Sequence, residues 1–123
     1  MRDYSAIASR PWPRIVEAYR ELLARPQWQH VAGLVSLLDH IESSDLANVL
    51  HGATSHEDLL LSPYDRFDFT GEVLRVHADP SDGALEFHYA GAGGGPHRTK
   101  RVEAKAGPET LGHFVRELKW VVD

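Results

Sequence analysis

Histidine and carboxylate side chains are the groups in this chain that most readily do chemistry: eight His and 18 Asp or Glu in 123 residues, with no cysteine. The missing thiols exclude a disulfide scaffold, a thiolate zinc site and a cysteine nucleophile. The densest group is His51, His56, Glu57 and Asp58, in the run from Leu50 to Asp58. A zinc or iron site needs ligands that converge, as two His at i and i+4 of one helix do. Here Gly52 reads as a helix stop between the two histidines, so the spacing supports no metal site, and no cofactor is expected. Ser55, with Asp58 three residues on, has the form of a capping box.

Other chemistries find no motif. Ser55-His56 and the acids nearby supply the residue types of a triad without its geometry, and no Gly-x-Ser-x-Gly elbow is present. The run Gly91-Ala92-Gly93-Gly94-Gly95-Pro96 ends in Pro96-His97. It therefore lacks both the Gly-Lys-Ser/Thr ending of a phosphate loop and the helix that follows a dinucleotide fingerprint. A hairpin loop is the expectation there. His77 and His88 fall on two neighbouring strands and are expected to be near-neighbours on a polar face. No catalytic residue is assigned.

Charge is unevenly placed. The formal net charge is −5, but residues 39–86 hold eleven acids against Arg66 and Arg75, a local balance of −9. The flanking thirds are each +2. An acidic segment repels phosphate and steers basic partners toward itself, so a protein partner with a basic surface is expected and nucleic acid is not. No apolar run is long enough to span a bilayer, and Met1-Arg2-Asp3-Tyr4 begins no apolar leader. A cytoplasmic protein without membrane contact is expected.

The elements that must position these groups are read from periodicity. After Pro11-Trp12-Pro13, Ile15, Val16, Tyr19, Leu22 and Leu23 form one helical face, ended by Pro26. Trp28, Val31, Leu34, Val35, Leu38 and Ile41 predict a second helix, antiparallel to the first. A short third helix is expected from Ser43-Ser44-Asp45 to Gly52. Beyond residue 58 the period becomes two. Leu59-Leu60-Leu61 reads as a short buried strand, and Phe67 and Phe69 alternate with charges. The apolar parity changes before Leu74, which predicts a bulge at Gly71-Glu72. Asp79-Pro80-Ser81-Asp82-Gly83 is a turn between two paired strands, carrying Leu74, Val76 and Ala78 and then Leu85, Phe87 and Tyr89. His97 to Ala106 is an edge strand with Val102 and Ala104 inward, and a final helix carries Leu111, Phe114, Leu118 and Val121, with Trp120 off that stripe. The whole predicts one α+β domain over residues 1–123: a helical hairpin, a short third helix, an antiparallel meander of three to four strands, and a C-terminal helix on the sheet.

In this layout the chain resembles the small bacterial immunity proteins of polymorphic and contact-dependent toxin systems, which are commonly single, acidic, cysteine-poor α+β domains without catalytic motifs. Ten Arg against three Lys, with abundant Ala and Gly, fits a high-GC bacterial gene. The resemblance implies an inhibitor that occupies a basic site on a toxin. The partner-binding residues expected are Asp58, Asp65, Asp68, Glu72 and Glu86, with Tyr64 as an aromatic anchor. Two other classes stay open: a dimeric secretion-type chaperone, and an α+β pocket protein or enzyme using His77 and His88. An interior filled by Phe67, Phe69, Phe87 and Tyr89 would argue against the pocket.

Overall fold

Proline opens the first helix as its missing N–H and fixed φ allow. In the computed structural model, which describes residues 7–67, 71–91 and 95–120, α1 spans Trp12–Leu23 and buries Ile15, Val16 and Tyr19. Arg25, extended at φ −94° and ψ 133°, ends it ahead of Pro26, as the residue before proline prefers. The second helix is not continuous. Pro26–Val31 is a 3₁₀ segment in which Trp28 leaves helical geometry, and α2 runs only from Ala32 to Glu42. The apolar spacing from Trp28 onward was continuous, but the backbone turns tighter before Ala32. The short α3 covers Leu46–Val49 and α4 covers Gly107–Glu117, the latter burying Leu111, Phe114 and Val115.

Among the described residues the strands are β1 Ile7–Ala8, β2 His51–Ser55, β3 Asp58–Ser62, β4 Arg66–Phe67, β5 Val73–Ala78, β6 Leu85–Ala90 and β7 His97–Val102. Five form an antiparallel sheet in the order β2-β3-β5-β6-β7, and β1 pairs with β4 apart from it. The α+β class is therefore as expected, with one more strand than the meander predicted. The added strand is β2. Gly52, expected to stop a helix, lies inside this strand, and Ser55 and Asp58 pair across a tight turn instead of forming a capping box. His56 takes φ 55° in that turn.

The parity change before Leu74 has a different cause from a bulge. Phe67 belongs to β4 and pairs with Ile7, while Leu74 lies in β5 and pairs with Leu61 and Tyr89. The two parities belong to strands of different sheets. Phe69 lies outside the described residues. Ala104 also departs from expectation: β7 ends at Val102, and Ala104–Ala106 is a 3₁₀ turn leading into α4.

The helices cover one face of the sheet. There Leu59, Leu61, Leu74, Val76, Leu85 and Phe87 meet Ile15, Leu34, Leu37, Leu38 and Ile41, all within 1 % of complete burial. Phe87 stacks on Phe114 with centroids 5.7 Å apart. Trp120, off the centre of the final helix's apolar stripe, is buried at the flank of the core beside Tyr89. Opposite, Ala53, Leu60 and Phe67 form a small second cluster with Val73 packed on it. This explains why three leucines are consecutive in β3: Leu59 and Leu61 face the helices while Leu60 faces the second cluster.

Candidate functional site

Cross-strand register decides which polar residues share the face that no helix covers. The pairings Leu59–Val76, His77–Glu86 and Glu86–Arg101 lay Asp58, His77, Glu86 and Arg101 in one row. The next row is Ala53, Leu60, Arg75, His88 and Thr99. On the β2 and β3 side this face is closed by the second cluster; across β5, β6 and β7 it carries charge.

Asp58 is the pivot of the row. Its side chain is only 16 % exposed, and it accepts from Arg75 Nη1 at 2.9 Å and from His77 Nδ1 at 2.6 Å. An ionised carboxylate only accepts, so the proton of this bond sits on Nδ1. This is the orienting half of an acid–base pair. Among the described residues no serine or threonine hydroxyl hydrogen-bonds His77, so the nucleophile of a triad is not assembled there. His77 and His88 share the face but are diagonal neighbours: His77 is opposite Glu86, and His88 is opposite Arg75.

Beside this row the β5–β6 turn adds two carboxylates. Arg101 reaches Asp79 at 2.8 Å, Asp82 at 2.5 Å and Glu86 at 2.6 Å, one guanidinium among three carboxylates. The turn is built by Asp79, whose carboxylate accepts from the Ser81 backbone N–H and hydroxyl, and by Gly83 at φ 77°, a conformation that suits glycine. Those two Ser81 bonds, followed by Arg101, hold the Asp79 carboxyl down at about 2 against an ordinary value of 3.8. A carboxyl whose folded pKa is lowered adds stability above its unfolded pKa and loses it as pH falls toward the folded one. Urea midpoints should therefore fall more steeply between about pH 4 and pH 2 in the native protein than in Asp79→Asn. Asparagine keeps an oxygen for Ser81 but cannot titrate. Identical slopes in the two proteins would refute the assignment.

Of the six residues expected to bind a partner, the five among the described residues do not form one patch. Asp58 and Glu86 lie in the row just described. Glu72 sits toward the helix-covered side, accepting the Tyr89 hydroxyl at 2.6 Å; burial, then this bond, pushes the tyrosine up to about 12. Tyr64, 55 % exposed, and Asp65, also exposed, follow the far end of β3. That end is about 13 Å along the strand from Asp58, at 3.3 Å per residue. Asp68 lies outside the described residues. Near the Asp58 end, Tyr19 donates its hydroxyl to the Glu57 carbonyl at 2.9 Å, and burial, with the Asp58 and Glu57 charges adding, raises its pKa. The sequence had already placed Glu86 and His88 outward. What it missed was Arg75 and Arg101 as counter-ions, a matter of register.

No group of three or more His, Asp or Glu side chains among the described residues is placed to hold a metal ion. No helix among them is long and apolar enough to cross a membrane. Phe87 and Tyr89 fill the space between sheet and helices. The molecule is thus an α+β protein whose meander is sheathed by helices on one face and bears charged rows on part of the other. No family model, curated protein or solved structure matches the chain.

Proposed function

We propose that this is a cytoplasmic protein-binding module that docks a basic protein, acting as an immunity-type inhibitor that occupies a basic site on a toxin. The observation that carries it is the charge at the end of the sheet where the β2–β3 and β5–β6 turns meet the open face. Glu57, Asp58, Asp79, Asp82 and Glu86 stand there against Arg75 and Arg101. Arg75 neutralises Asp58, but Arg101 is outnumbered by its three carboxylates, and Glu57 is exposed with no ion pair among the described residues. The excess is negative and sits on a rigid hairpin framework, which favours steering and a fixed docking geometry.

The test is capture of the partner from the native host, followed by binding measured with the purified pair. The native protein should bind a basic protein, and raising salt from 50 to 500 mM should weaken binding by about tenfold or more through screening. Glu57→Lys with Asp82→Lys should weaken it comparably, while Asp65→Lys at the other end should change it little. A partner indifferent to salt and to the double reversal, or one lost only with Asp65→Lys, would overturn this assignment.

A further inference from the structure

The acidic end accounts for the central segment of the chain and for Arg101, but not for the other cations of the basic C-terminal third. Two of them, Arg98 and Lys100, line a cleft between β7 and α4. The register Tyr89–Arg98 and Phe87–Lys100 puts both cations on the helix side of the sheet, while Thr99 between them in sequence alternates to the open face and borders the cleft from the strand. From α4, Thr110, His113 and Glu117 face them across a space of about 170 Å³. At about 30 Å³ per water molecule, that space takes one small polar group with part of its hydration shell.

Three features distinguish the cleft from an ordinary charged surface. Arg98 is held in place: its guanidinium lies 5.5 Å from the centroid of the Phe114 ring and is paired with Glu117. Lys100 makes no ion pair among the described residues, so its charge is uncompensated in the cleft. Thr110 is 4 % exposed, yet no hydrogen bond to its hydroxyl is formed among the described residues. The hydroxyl is not sealed off either, for Trp120 Nε1 is the one fully occluded polar side-chain atom left unpaired among those residues. A nearly buried hydroxyl normally finds a partner. Here Thr110 lines the same cleft as Lys100.

The geometry points to a binding site for a small tetrahedral oxyanion, the phosphoryl or sulfuryl group of a small molecule. Lys100 supplies the charge and Thr110 a neutral hydrogen bond. Arg98 offers the N–H groups that Glu117 does not use, and His113 closes the outer side. The donors approach from both β7 and α4, which suits tetrahedral oxygens better than a planar carboxylate. A duplex phosphate backbone could not enter so small a space, so the expectation against nucleic acid stands beside this site without conflict.

The test is a titration of the isotopically labelled full chain with inorganic phosphate, followed by amide NMR shifts against chloride at equal ionic strength. Saturable shifts should centre on Thr99, Lys100, Thr110 and His113. Lys100→Ala and the near-isosteric Thr110→Val, each shown to be folded by its own spectrum, should weaken binding by about tenfold or more, as loss of one charge-assisted contact does. Lys105→Ala, on an exposed cation outside the cleft, should bind as the native protein does. Phenyl phosphate binding more tightly than phosphate would assign the site to a phosphorylated small molecule, and equal binding to the free ion. Shifts that never saturate, or that spread over all cations and fall equally in Lys105→Ala, would overturn the site.

Discussion

Phe87→Ala is expected to lower the free energy of unfolding by about 3–5 kcal/mol, a large share of the roughly 5–15 kcal/mol that a domain of this kind holds. Phe87 is 0 % exposed, lies centrally in β6 opposite Val76 and Lys100, and stacks on Phe114 of α4. Truncation removes the transfer free energy of the ring and leaves a cavity between two rigid layers, where the sheet and helices collapse only in part. Phe67→Ala should cost distinctly less. Phe67 is nearly as buried, but it belongs to the small cluster with Ala53 and Leu60 on the other face, under a strand only two residues long. A two-residue strand can settle into the space. Urea unfolding of both variants, with unchanged m-values, measures the difference directly. Equal losses would mean that the helix-side core is not the principal one.

That contrast also shows where local pattern was informative. The alternation Leu85, Phe87, Tyr89 with Glu86 and His88 outward was read from period two alone, because a half-buried strand in a meander has no other way to hide its apolar side. The same logic found α1, α4 and the Asp79–Gly83 turn. It fails where neighbouring apolar runs of opposite parity belong to different sheets. Phe67 and Leu74 are such a pair, for β4 leaves the main sheet to pair with β1. Trp120, off the apolar stripe of the final helix, reaches the flank of the core because the chain turns there: Lys119 adopts φ 60° and the Trp120 backbone N–H returns to the Val115 carbonyl.

The candidate site was legible as residue types and not as geometry. Five of the six expected residues fall among the described ones, and the register sends them to two ends of the sheet. Asp58 and Glu86 stand out in the sequence by their charge, but each is engaged with a guanidinium group that the sequence does not place beside it. Charge counting along a chain overstates the field when counter-ions come from other strands. It was the excess over Arg101, visible only in the fold, that localised the acidic end.

Gly52→Ala should destabilise the protein by about 1–3 kcal/mol through overpacking, although removing a glycine ordinarily stabilises by about 0.4–1 kcal/mol through the unfolded chain. The clash prevails because of what stands over Gly52. A Cβ there would lie 2.6 and 2.7 Å from two carbons of the Trp12 ring and 2.9 Å from Ile15 Cδ1. Neither neighbour is free to withdraw. Trp12 donates its indole N–H to the Ala47 carbonyl at 3.2 Å, Ile15 is 1 % exposed, and the Gly52 carbonyl accepts the Arg10 N–H at 2.9 Å, tying the start of α1 to the edge of β2. A glycine serving as a helix stop would show no dependence on Trp12. A strand glycine under an indole should, so Trp12→Leu combined with Gly52→Ala ought to be more stable than the sum of the single losses by about 1 kcal/mol or more. Strict additivity in that double-mutant cycle would mean that the Trp12 indole is not what excludes a side chain from this position of β2.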